Sequence, residues 1–301
     1  MAVRNRAAIA IGLLALAAPS PGFGYVQYKT DDGKPFYWPE SCVALNAYAG
    51  NFKELPLGEV EQAINAAVNA WTPPLRACAY LDIAMTMHPG PSPRAAYDAS
   101  NNLMFITSDW CKFNPKFNQC DRDDSALALT SLFAKADGHI VDADIEVNAA
   151  MDRILWMNAD TNAKPGAHDL QNTLTHEMGH FLGFNHTCYT PGERRPRSTD
   201  NLGMLVGDCA VATEAIQRTT MFAATTPGET DKRMLKPDDI QGVCEAYPLS
   251  LDPKMCEVAQ VGQPADNCGC STPAGPPPFA AALLTAGLAA LSLGRRRRRR
   301  R

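Results

Sequence analysis

The sequence predicts an α+β domain. Three observations carry that expectation: short strand-like segments, one early stretch at helical spacing, and a later helix followed by a long loop-rich segment. Val43-Ala44-Leu45-Asn46-Ala47-Tyr48 reads as a strand, stopped by Gly50-Asn51. Leu57 to Trp71 places Val60, Ile64, Ala67, Val68 and Trp71 at helical spacing and ends at Pro73-Pro74. Leu81 to Met85 and Leu103 to Ile106 read as two more strands. Leu127 to Leu132 and Ile140 to Val147 flank Asp137-Gly138, a hairpin signal. Asp169 is placed to cap a helix that runs through Leu182 and stops at Gly183. A last helix starts near Pro237-Asp238-Asp239, whose acids suit a helix N-terminus.

The two ends read as addresses and not as fold. The chain has 301 residues and a net charge of −4, but nine of its 28 Lys and Arg lie in those ends. That leaves 19 basic against 32 acidic residues, so the body sits near −13. Such a body argues against nucleic-acid binding, which needs a basic face. Arg4 and Arg6 precede the apolar run Ala7 to Ala18 and then Pro19, Pro21 and Gly22, the order of a secretory signal peptide over residues 1–24. At the other end, residues 251–278 are rich in Cys, Pro and Gly and include Cys268-Gly269-Cys270. Residues 279–301 are an apolar run and seven arginines, a stop-transfer order that implies transient membrane association. This tail resembles the MYXO-CTERM sorting signals of bacterial surface proteins, and the resemblance implies display at the cell surface or release. Export permits disulfides. Proximity suggests Cys111 with Cys120 and Cys188 with Cys209, although eight cysteines allow 105 pairings.

Between the ends, residues 25–250 read as one domain with a chemical centre. His176-Glu177-Met178-Gly179-His180-Phe181-Leu182-Gly183-Phe184-Asn185-His186 places two histidines four apart on one helix face. Both can hold one zinc ion through imidazole nitrogens, and Gly183 permits a turn that returns His186 as third ligand. Three histidines leave a fourth position open, which marks a catalytic zinc site and not a closed structural one. Glu177 points too far round to be a ligand but can reach water at the metal and act as general base.

This stretch resembles the zinc signature of the metzincin metallopeptidases at every fixed position. Met221, in Thr220-Met221-Phe222, corresponds to the methionine that the family places beneath its metal. Within the family the chain is most similar to the matrixin-like branch of bacterial secreted type. Ile140-Val141-Asp142-Ala143-Asp144-Ile145-Glu146 resembles the matrixin strand that borders the substrate cleft, and Leu235 to Pro248 resembles the closing helix. The resemblance implies a twisted, mostly parallel five-stranded sheet with a backing helix, an active-site helix and a C-terminal helix. It implies a secreted or surface-displayed zinc endopeptidase, working as a monomer on protein or peptide substrates. Ile140, Val141, Asp142 and Ala143 are then cleft candidates. The segment Thr187 to Arg218, with Arg194, Arg195 and Arg197, is expected to wall a pocket.

Several family features are missing. No Pro-Arg-Cys-Gly switch precedes the domain, Ala223 stands where some branches carry a metal-binding tyrosine, and His88, His139 and His168 do not form a second-zinc pattern. Asp137, Asp142, Asp144 and nearby carbonyls are candidate calcium (Ca2+) ligands, with solvated strand-end carboxylates as the competing reading. Two rival functions stay open. One is an inactive surface module that binds peptide in the same groove, and the other is a zinc hydrolase of non-peptide amides.

Overall fold

The computed structural model describes residues 24–255, apart from 73–74, 111–112, 115–118, 121–122, 124, 151–153 and 193–196. Nearly all of the expected signal peptide and of the Cys/Pro/Gly-rich stretch, and the arginine tail, lie outside the described residues, as does the pairing of Cys111. The main elements are β1 (Cys42–Tyr48), α1 (Leu57–Trp71), β2 (Asp82–His88), β3 (Asn102–Ile106), β4 (Ala128–Ala134), β5 (Ile140–Asn148), α2 (Leu170–Phe181) and α3 (Pro237–Ala246). The fold is α+β, with a five-stranded sheet in the order β2-β1-β3-β5-β4. Four strands run parallel, and β4 alone is antiparallel, joined to β5 through the turn at Asp137-Gly138.

Each element follows from its side-chain pattern. The α1 stripe of Val60, Ile64, Ala67, Val68 and Trp71 is buried, as the spacing requires. β5 is buried along nearly its whole length because it is flanked by β3 and β4, whereas β4 alternates toward exposure at Leu129 and Phe133. The helices α1 and α2 pack on each other, α1 against β2 and α2 against β4 and β5. The Trp71 indole N–H donates to the Thr175 carbonyl at 2.7 Å, and its ring stacks on Phe184.

The ends of α2 are fixed by residues far away in sequence. Asp169 accepts from Asn172 N at 2.8 Å, the expected N-cap. The same carboxylate takes a two-pronged contact from Arg233, at 2.7 and 2.6 Å. At the other end, Gly183 N bonds His180 O and Phe184 N bonds Gly179 O, a Schellman closure with Gly183 at φ +88°. The carbonyls of Phe181 and Leu182, left without helical partners, accept from the Trp38 indole and the Tyr247 hydroxyl, both at 2.8 Å. Segment 25–38 runs along this exit, where Tyr28 N donates to Gly183 O and Asn185 N donates to Val26 O. A side chain at Gly183 would meet the Phe36 carbonyl at 2.6 Å, so only glycine fits there.

Cys188 pairs with Cys209 as proximity suggests, and Cys78 pairs with Cys244 across 166 residues. In the chain-entropy account the longer loop constrains the unfolded chain more, by about 5 against about 3 kcal/mol. Disulfides of this kind fit an oxidising compartment. Among the described residues, no helix is long and apolar enough to cross a membrane.

Asp169 is 1% exposed, so removing it takes away a helix cap and leaves Arg233 only its pairing with the exposed Asp160. The expected cost of Asp169→Ala is about 3 kcal/mol in urea unfolding. A loss below about 1 kcal/mol contradicts this role.

Candidate metal centre

Helix α2 presents His176 and His180 on one face, and the turn at Gly183 returns His186 to them. The Nε2 atoms of His176 and His186 lie 3.3 Å apart, and those of His180 and His186 lie 3.1 Å apart. Backbone carbonyls decide which ring nitrogens carry protons. His176 Nδ1 lies 2.7 Å from Thr220 O, and His180 Nδ1 lies 2.8 Å from Phe184 O. A carbonyl can only accept, so each Nδ1 is the donor and each neutral ring turns its Nε2 lone pair inward. His186 turns its Nε2 toward both, so three ring nitrogens crowd around one point that a single cation can occupy. The three histidines can therefore hold one metal ion, and among the described residues no other group of three such ligands converges.

Burial sets the charge states. Desolvation pushes His176 and His186 well below the usual imidazole range, with the neighbouring imidazoles adding to it, and takes His180 down to about 4. All three are neutral near pH 7, as ligands must be. Desolvation moves the Glu177 carboxyl the other way, up to about 7, against a hydrogen bond that lowers it. That bond comes from the Thr130 hydroxyl on β4, 2.6 Å from Glu177 Oε2. Sequence reading missed Thr130, because no local pattern marks a residue that meets α2 only through the sheet.

Met221 is buried beneath the helix, close enough to α2 that any side chain at Gly179 would overlap its sulfur and meet the Trp71 ring at 2.9 Å. Met221 O accepts from Thr187 N at 3.0 Å, which ties this segment to the chain just beyond His186.

The histidines and Glu177 line a cleft of about 1120 Å³. Its walls correct two expectations. The cleft-bordering strand is β4, residues 128–133, and not the 140–146 segment. Ile140, Asp142 and Ala143 are buried and Val141 half-buried in the strand behind the edge, and none of the four lines the cleft. Among the described residues of Thr187–Arg218, only Thr190 and Ser198 reach the cleft, and residues 222–225 with Pro227 also line it. Arg197 stacks on Tyr189 at 4.9 Å, and Arg194 and Arg195 lie outside the described residues.

The acids considered for calcium have other partners. Asp142 Oδ2 accepts from Asp98 N and Ala99 N at 2.6 and 2.7 Å. Asp144 accepts from Ala96 N and from both nitrogens of Asn102. They fasten the 96–102 segment to β5, while Asp137 accepts from His139 N in the hairpin turn.

No protein-family model and no curated protein matches this sequence. Among solved structures, that of myroilysin aligns with a TM-score of 0.35 and 12% identity, covering 71% of this chain and 82% of that one. At that level no activity passes from one chain to the other.

The pKa directions fix how the metal-free protein responds to acid. Depressed histidines bind protons more readily when unfolded, so their stabilising contribution is lost as pH falls from about 6.5. For His180 alone the loss down to its folded value of about 4 amounts to about 3 kcal/mol. Glu177 acts oppositely, losing stability as pH rises from 4.5 to about 7. Three histidines outweigh one carboxyl, so unfolding in chelator should become easier between pH 6.5 and 4.5. A flat or rising stability over that window contradicts the buried neutral triad.

Proposed function

We propose that this protein is an exported, zinc-dependent endopeptidase of the metzincin type, with a matrixin-like arrangement. The observation that carries the reading is the convergence of three imidazoles, two of which, His176 and His180, are buried with their outer nitrogens fixed on carbonyls. Tetrahedral zinc with bonds of about 2.0–2.1 Å needs ligand nitrogens about 3.3 Å apart, and the separations of 3.3 and 3.1 Å suit it. Zinc bound there supplies Lewis acidity, lowering the pKa of water toward about 7 and polarising the scissile carbonyl.

The chain's own groups do the rest. Glu177 receives the proton of the attacking water at its carboxylate and delivers it to the leaving amine nitrogen. Burial brings this carboxyl near pH 7, where a group can both take and give a proton. The Thr130 hydroxyl holds it toward the cleft. Met221 shapes the floor of the site without being a ligand. The exposed edge of β4 is available to an extended peptide, which would add to the sheet as a further strand. The disulfides support export, and a monomer is the simplest working unit.

Zinc stoichiometry with peptide-library cleavage tests the reading. The expected outcome is one zinc per chain and internal peptide-bond cleavage. Glu177→Ala should retain zinc and lose about 10²–10⁴-fold in kcat. Zinc binding without cleavage by the wild type would favour the inactive peptide-binding module.

Thr130→Val provides an independent check. The hydroxyl lowers the Glu177 pKa, so its removal should shift the acid limb of kcat/KM to higher pH. The loss of kcat should be about tenfold, the scale of one hydrogen bond. An unmoved limb removes Thr130 from the machinery.

A further inference from the structure

We propose that the cleft selects a substrate side chain bearing a carboxylate, and that the Lys232 ammonium recognises it. The proposal rests on the peptidase reading and adds a specificity to it. Lys232 lines the cleft near the first turns of α2, together with Asn172, Thr173, Phe222 and Thr225. Its side chain is only 3% exposed. The ammonium donates to Ala224 O at 2.9 Å and to Glu229 Oε1. Lysine has three N–H donors, which leaves one for an acceptor in the cleft.

Glu229 does not cancel this charge where a substrate would lie. Its other oxygen accepts from the Thr225 hydroxyl at 3.1 Å and from Thr226 N at 3.2 Å. Lys232 belongs to the cleft lining and Glu229 does not, so the pair offers its cationic side to the cavity. A hydrogen bond with an ionised partner is roughly twice as strong as a neutral one.

The position suits a residue flanking the scissile bond. Lys232 N donates to Asn172 Oδ1 at 2.8 Å. Asn172 and His176 are four apart on α2 and share a face, one turn or about 5.4 Å from each other. The Lys232 backbone thus meets α2 one turn from His176, and its charge lies close enough to act on His176 and His186. His168 lines the cleft as well, and its buried Nδ1 has no hydrogen-bond partner, which provides a second polar group for a carboxylate. The acidic body opposes such a substrate only at long range, and exposed charges are largely screened beyond about 8 Å at physiological salt. Locally the ammonium decides.

The test uses the zinc-loaded protein and peptides that differ only at the residue after the scissile bond: Glu, Gln, Leu or Lys. Wild type should prefer Glu over its isostere Gln by about tenfold or more in kcat/KM, chiefly through KM. The double variant Lys232→Met with Glu229→Gln removes the pair without stranding a carboxylate, and should bring the Glu/Gln ratio near one. Lys232→Arg should keep the preference. Cleavage of all four peptides by wild type with a ratio near one overturns this proposal alone. A Glu preference that survives the double variant removes Lys232 from it. Cleavage of none overturns the peptidase reading beneath it. If the double variant does not fold, as thermal unfolding would reveal, the wild-type ratio still decides.

Discussion

Two hydrogen bonds on the outer side of the histidine cluster govern the site. His176 and His180 each donate Nδ1–H to a main-chain carbonyl, and this alone turns both Nε2 lone pairs inward. Each carbonyl depends on a different part of the chain. Phe184 O is aimed by the closure at Gly183, which segment 25–38 grips through Tyr28 and Phe36. Thr220 O belongs to the segment that carries Met221, and the Thr220 hydroxyl reaches back to Met234 O just before α3. The N-terminal segment and the C-terminal helix, far apart in sequence, thus serve as a frame for two acceptors.

Desolvation is the largest cause of every pKa shift at the site, and it acts in opposite directions on the two kinds of group. Imidazoles are kept neutral and available as ligands, while the carboxyl is lifted into the range where protons are exchanged near neutral pH. The same burial leaves the site poorly satisfied by itself: three ring nitrogens crowd on one point, and the Glu177 carboxyl is held by a single hydroxyl. A cation relieves both strains at once, through the nitrogens and through its field on the carboxylate. Binding of a cation there would be coupled to folding of this domain.

Much of this was legible in the sequence, because the governing signals are local. The stripe of α1, the Asp169 cap, the turn at Gly183 and the spacing of the three histidines depend on residues within a few turns of one another. What failed depended on sheet order. The two strands of the 128–148 hairpin are both apolar enough to be interior, and periodicity cannot tell which has a neighbour on its far side. The 140–146 segment is assigned to the cleft by its resemblance to the matrixin cleft strand, yet the Asp142 and Asp144 carboxylates are buried under the 96–102 segment. Thr130, Lys232 and the Cys78–Cys244 bond escaped notice for the same reason, since each acts on a partner reached only by the tertiary fold.

The central claim is that three imidazoles, two of them anchored on main-chain carbonyls, hold one zinc and leave a position open. Zinc K-edge absorption on the loaded protein measures this most directly. The account predicts three imidazole nitrogens at about 2.0–2.1 Å and one further light atom. A sulfur neighbour, or fewer than three imidazoles, would contradict it.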